Sequence, residues 1–203
     1  MRRLLIVIFA FLSTKNAFAQ QEAGTFTIQP KVGLNVASVT GTVDNGANKG
    51  FRLGLAAGVE LEYKFTKTIG VSFGALYSMQ GVNASTTLEG TKLTETARLD
   101  YINIPIMLNG YVAEGVVLKF GIQPAFRVND GYTMSAQGQS LNGKLSDLGF
   151  EINSFDFSFP VGLSFEFSNV ILDARYNIGI TEVSKGGGRN NVFQFTLGYK
   201  FKL

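Results

Sequence analysis

The feature that most constrains this chain is a strict alternation of apolar and polar residues, held over long segments along almost the whole sequence. Between residues 51 and 65 the odd positions are Phe51, Leu53, Leu55, Ala57, Val59, Leu61, Tyr63 and Phe65. The even positions are Arg52, Gly54, Ala56, Gly58, Glu60, Glu62 and Lys64. Side chains leave a strand on opposite faces with a period of two, so only a strand separates these two sets. As a helix, the same residues would spread charge around the whole cylinder. The pattern recurs in 26–36, where Pro30 alone interrupts the apolar set, and in 69–79, 102–112, 116–128, 155–167, 170–180 and 193–203.

Segment length selects the kind of sheet. Strands of water-soluble proteins average about 5–6 residues, whereas a strand crossing a bilayer at a tilt needs about 9–11. Each segment here sustains the longer span. The connections also alternate in length. Stretches 37–50, 81–98, 129–154 and 181–192 are long and rich in Gly, Asn, Ser and Thr, while Thr66-Lys67-Thr68, Ala113-Glu114-Gly115 and Ser168-Asn169 are short. Short turns on one side and long loops on the other are the pattern of membrane barrels. The sequence therefore predicts an all-β fold, an eight-stranded antiparallel up-and-down transmembrane β-barrel.

The polar face defines the expected interior. It carries Lys31, Arg52, Glu60, Glu62, Lys64, Lys119, Arg127, Asp156, Glu166, Asp173, Arg175 and Lys200, together with Gly33, Gly54, Gly58, Gly70, Gly74, Gly121, Gly162, Gly179 and Gly198. An eight-stranded barrel is just wide enough to be filled by side chains. Glycines would make room for the long ones, and buried charges are costly unless paired. The expectation is a structural ion-pair network filling the lumen and no open channel. On the apolar face Phe51, Phe155, Phe157, Phe193 and Phe195 lie towards the long loops. Tyr63, Phe65, Phe165, Phe167, Tyr199 and Phe201 lie towards the short turns, giving two aromatic girdles. Pro105, Pro124 and Pro160 fall inside strands, where proline removes a ladder hydrogen bond, and local bulges or kinks are expected there.

The start of the chain has the features of an export signal. Arg2 and Arg3 precede an apolar run from Leu4 to Leu12, too short to span a bilayer, and Ala17-Phe18-Ala19 forms a small-residue cleavage site. Residues 1–19 are expected to be removed, leaving 20–203 as one barrel domain. Arg2, Arg3 and Lys15 account for the excess of the 18 basic over the 15 acidic residues. The exported chain is thus balanced in charge and lacks the basic excess of a nucleic-acid binder. Cys and His are both absent. No disulfide, thiolate or imidazole metal site can form, and the commonest general base is missing. No catalytic, cofactor-binding or metal residues are assigned.

Several stretches resemble PorT-like outer-membrane β-barrel proteins. Leu99-Asp100-Tyr101-Ile102-Asn103-Ile104-Pro105 is similar to that family's aromatic-x-x-Ile-Pro strand, and Gly121-Ile122-Gln123-Pro124 to its next strand. Asp173-Ala174-Arg175-Tyr176-Asn177-Ile178-Gly179-Ile180-Thr181 resembles the penultimate strand. Phe195-Thr196-Leu197-Gly198-Tyr199-Lys200-Phe201 resembles the closing one, although Leu203 replaces the usual terminal aromatic. The resemblance implies a small barrel in the outer membrane of a Gram-negative bacterium, with outer-membrane lipid and other envelope proteins as partners. It carries no catalytic residues.

Three functional readings follow. The first is a non-enzymatic barrel acting through its extracellular loops or periplasmic rim, as an envelope anchor, a surface-interaction protein or an accessory to transport or secretion. Loop 129–154, with Tyr132, Met134 and Leu141, is its candidate partner contact. The second is a small pore lined by the lumen charges. The third is a soluble periplasmic, lipocalin-like barrel, which would turn its apolar face inward around a ligand. Gly50, Gly54 and Gly58 have the spacing of a helix-dimerisation string, and Gly186-Gly187-Gly188-Arg189 could form an anion-binding nest. Lumen spacing and loop flexibility explain both without a site.

Overall fold

The computed structural model of the protein describes residues 23–41, 48–88, 91–136, 139–149, 151–185 and 187–203. The expected export signal, 1–19, lies outside them. The described residues form β1 (Phe26–Thr40), β2 (Asn48–Gly50), β3 (Arg52–Lys64), β4 (Ile69–Leu88), β5 (Thr91–Asn103), β6 (Ile106–Ala113), β7 (Val116–Ala136) and β8 (Gln139–Gly143). A single 3-10 turn, Leu145–Leu148, precedes β9 (Phe155–Phe167), β10 (Val170–Glu182), β11 (Arg189–Tyr199) and β12 (Phe201–Lys202).

Each strand pairs antiparallel with its neighbour, in the order β1-β3-β4-β5-β7-β9-β10-β11, and β11 pairs back with β1. The sheet is a closed ring. β5 and β6 both lie between β4 and β7 and are two halves of one crossing. β12 continues β11 along β1. The result is the eight-stranded up-and-down barrel. Lys31, Glu60, Lys119, Asp173 and Arg175 are buried inside, whereas Leu53, Phe120, Leu172 and Phe195 are exposed outside. This is the reverse of a soluble lipocalin-like barrel, and that reading is set aside on this observation. Aromatic rings touch in two bands. Tyr63–Phe65 (4.9 Å) and Tyr199–Phe201 (4.7 Å) lie by the short turns, and Phe126–Phe155 (5.6 Å) and Tyr176–Phe193 (4.3 Å) lie towards the other end.

Two expectations need correction. Stretches 81–98 and 129–154 are not mainly loops. β4 and β5 stay paired from Gly81↔Arg98 to Leu88↔Thr91, and β7 and β8 form a hairpin from Tyr132↔Gly143 to Ala136↔Gln139. Their Thr, Ser and Asn belong to a sheet that has left the bilayer, where water-facing strands need no apolar face and β-branched Thr still favours extension. With β2 paired to β4, a five-stranded sheet stands above the barrel.

The prolines also behave differently from expectation. Pro124 pairs with Phe157 and Pro160 with Asn177 without any shift of register. Pro105 falls in the gap between β5 and β6, yet the register with β4 is the same on both sides. Gly74 N–H still donates to the Pro105 carbonyl at 3.0 Å, and Ile104 N–H to the Pro124 carbonyl at 2.8 Å. Only the return bonds, for which proline has no N–H, are lost. The register shifts lie elsewhere, at Asp100/Tyr101, Tyr111/Ala113 and Ile178/Glu182.

The inward-facing glycines divide into two groups. At Gly74, Gly162 and Gly198, an added Cβ would meet the side chains of Glu60, Arg175 and Lys31 at 2.6–2.9 Å. These glycines make room for charge. At Gly121 a Cβ would lie 2.0 Å from the Ile106 carbonyl oxygen, so there glycine permits close approach of two backbones. At lipid-facing Gly110 the nearest atom is 3.9 Å away. Gly121→Ala should therefore destabilise the barrel by about 1–3 kcal/mol, while Gly110→Ala should leave it unchanged. Urea unfolding in lipid vesicles measures both, and equal midpoints would refute the distinction.

Candidate functional site

Register along the ring places the lumen charges at two heights. Lys31 lies opposite Gly58 and Gly198, Glu60 opposite Gly74, and Arg175 opposite Gly162. Small neighbours let these long side chains turn across the barrel and meet. Asp173 accepts from Lys119 Nζ at 2.9 Å, from Lys31 Nζ at 3.1 Å and from Arg175 through both Nε and Nη2 at 3.0 Å. Arg175 Nη2 also donates to Glu60 Oε1 at 2.7 Å, and Lys31 pairs with Glu60. All five side chains are essentially inaccessible to solvent.

A second cluster lies nearer the short turns. Lys200 Nζ reaches Glu62 at 3.0 Å and Glu166 at 2.7 Å. Gln29 donates to Glu62 at 2.5 Å, and the Tyr111 hydroxyl donates to the same carboxylate. Lys64 Nζ sits 3.6 Å from the centroid of the Tyr111 ring, a cation–π contact. Beyond the ionic layers, towards the outside, comes a layer of amides and hydroxyls. Gln194 donates to Asn35 at 3.1 Å, and Asn35 and Gln80 both donate to Ser78, at 2.9 and 3.0 Å.

Three of the twelve charged residues assigned to the lumen stand apart from both clusters. Arg52 donates to the Gln80 carbonyl. Asp156 accepts from Thr181 Oγ1 at 2.6 Å and from Asn190 Nδ2 at 3.3 Å. Arg127 sits at the mouth, where it pairs with Asp130 and donates to the Ile152 carbonyl at 3.0 Å. Parity assigned their face, but their height along the axis depends on the stagger between strands.

The proposed contact residues lie on the outer hairpin. Tyr132 and Met134 are half-buried on its inward face, and Leu141 is 62% exposed. Above the polar layers, Val39, Leu99, Tyr101, Ala125, Leu145 and Val183 form a buried apolar cluster. Sequence reasoning missed this cap. Its signal was present, since Leu99 and Tyr101 are apolar residues on the inward parity shared by Asn103, Met107 and Asn109. Within the nest motif, Gly186 lies outside the described residues. Gly187 N–H donates to the Ser184 carbonyl at 2.8 Å in a tight turn.

A closed ring of long strands, with an apolar exterior and an ionic interior, defines an integral outer-membrane β-barrel. The model of the outer membrane protein beta-barrel domain matches residues 18–185, and the chain belongs to that family, whose place is the Gram-negative outer membrane. Among solved structures, Neisserial surface protein A is similar at 14% identity over 87% of this chain and 97% of that one, with a TM-score of 0.50. The attachment invasion locus protein Ail of Yersinia pestis is 16% identical over 88% and 99% of the two chains, with a TM-score of 0.45. OprG from Pseudomonas aeruginosa is 17% identical over 89% and 97%, with a TM-score of 0.46. No curated protein sequence matches the chain.

The inner cluster yields a direct test. Asp173→Asn removes the carboxylate shared by three buried cations and should destabilise the barrel by about 3–5 kcal/mol. Glu151→Gln, at a pair 3.8 Å apart that is almost fully exposed, should change nothing measurable. Urea midpoints in vesicles decide, and a neutral Asp173→Asn would show that the network carries no structural load.

Proposed function

We propose that the protein is a non-enzymatic barrel that works through its extracellular sheet, as a surface-interaction, anchoring or accessory protein, and does not conduct. One observation carries this reading: the lumen is crossed by paired side chains, whereas β4, β5 and β7 continue beyond the bilayer and, with β2 and β8, form a five-stranded outer sheet. The ion pairs serve a structural role in this reading, and Tyr132, Met134 and Leu141 belong to the working surface. A pore would need the same charges to line water instead of bonding across it. We place the chain in the PorT-like branch on its Ile104-Pro105, Gln123-Pro124 and closing-strand motifs. Export would follow cleavage after Ala19, so N-terminal sequencing of the mature protein should begin at Gln20, and an uncleaved start at Met1 would refute it.

Two measurements test the reading. Purified protein in planar bilayers should show no steady conductance; steady single-channel steps would establish the pore instead. A photo-crosslinking residue at Leu141 in living cells should give discrete protein adducts, while one at lipid-facing Leu118 should give none. Adducts absent at Leu141 but present along the short-turn rim would move the function to the periplasmic side.

A further inference from the structure

The mouth of the barrel contains a cavity that neither the ion-paired lumen nor the outer sheet's edges account for. It has a volume of about 290 Å³ and is walled largely by carbon, with Val82, Ala97, Leu99, Tyr132 and Met134 on one side and Leu145 on the other. Its floor is closed. Tyr101 lies in the apolar cluster below it and accepts a hydrogen bond from Asn190 at 3.3 Å, with the amide and ionic layers beneath. The upper rim is open, because Glu95 lines the cavity and is exposed to solvent. A second apolar recess, between Leu93, Ala136 and Leu141, shares Met134 with the first and extends the same surface up the sheet.

Size, shape and charge restrict the occupant. An aliphatic cavity of about 150 Å³ accepts benzene, so this one suits about two fused rings. Tyr132 and Met134 offer an aromatic face and a polarizable sulfur, both favourable against an aromatic ligand. Glu95 is the only carboxylate, and no Lys or Arg is present, among the described lining residues. A hydrogen-bond donor is therefore favoured at the rim and an anion disfavoured. We propose that the extracellular mouth is a dead-ended binding site for a small bicyclic aromatic molecule that carries an N–H donor and no negative charge.

The chain contains its own reporters. Met134 lines the site, Met107 is buried in the lumen, and Met79 lies on the outward parity of β4. Methionine methyl NMR of the full protein in nanodiscs, titrated with indole, should show a saturable shift of Met134 while Met107 stays still. Met79 should change only in proportion to indole dissolved in the lipid. Ala97→Phe should fill the cavity and abolish saturation while preserving the folded barrel, seen as slower or faster gel migration before boiling than after. Indole-3-carboxylate should bind at least ten-fold more weakly, and Glu95→Gln should narrow that gap. A Met134 shift that is absent, or that merely tracks Met79, overturns the site, as does unchanged indole binding by Ala97→Phe. Equal affinity for the carboxylate overturns the charge assignment. The inference goes beyond the surface-interaction reading, and a failed crosslink at Leu141 alongside saturable indole binding would be the failure of that reading alone.

Discussion

Everything in this molecule depends on closure of the sheet. Within a bilayer no water is available to satisfy a free N–H or C=O, so an open strand edge is excluded. Here the ladder from Lys31↔Gly198 to Thr40↔Arg189 joins the last long strand to the first. Once that seam is made, each strand has one face in lipid and one in a narrow interior. The alternation along the sequence follows from this division. So does the placement of glycine, because curling the sheet into a small ring brings backbones together at positions such as Gly121.

The ionic interior is best understood through register. Dehydrating charges costs about as much as their attraction returns, so buried ion pairs are a poor source of net stability. Their effect is discrimination. A one-residue slip of any strand would turn its whole inner face outward. For β10 a slip would carry Asp173 and Arg175 into lipid, leave Lys119 without its carboxylate, and reduce the inner cluster to the Lys31–Glu60 pair. Lys31, Glu60, Lys119 and Arg175 each also face a glycine across the ladder, so the correct register alone gives them both a space and a partner.

Faces, strand number and short turns were legible because each depends on local pattern. Ser168-Asn169 is a tight turn, with Ser168 at a φ of 54°, between the paired Phe167 and Val170. Height along the axis was not legible. Arg127 has inward parity like Lys119, yet it lies opposite Tyr101 at the level of the apolar cap, and the extra residue Val128 at the Asp100/Tyr101 shift turns Asp130 to the same face. Strand ends were misjudged for a related reason. Apolar alternation reports lipid, and it fades where β4, β5 and β7 emerge into water, although their hydrogen-bonded ladders continue. The prolines misled because a ladder bond lost at Pro124 or Pro160 is a local cost, and the flanking pairs hold the register through it.

The same inward parity carries opposite chemistry inside and outside the bilayer. Along β5 it runs from Asn103 through Tyr101 and Leu99 to Ala97, Glu95 and Leu93, changing from polar to mostly apolar as the strand leaves the membrane, with Glu95 the exposed exception at the rim. In the bilayer the outward face meets lipid, so polar groups are confined within. Beyond it the outward face meets water, and the inward face becomes the place for carbon. The cross-strand rows Val82↔Ala97↔Tyr132 and Ala84↔Glu95↔Met134↔Leu141 are built on that inversion. The apolar cap above paired charges gives the barrel an outer end lined with carbon over an interior of matched charge.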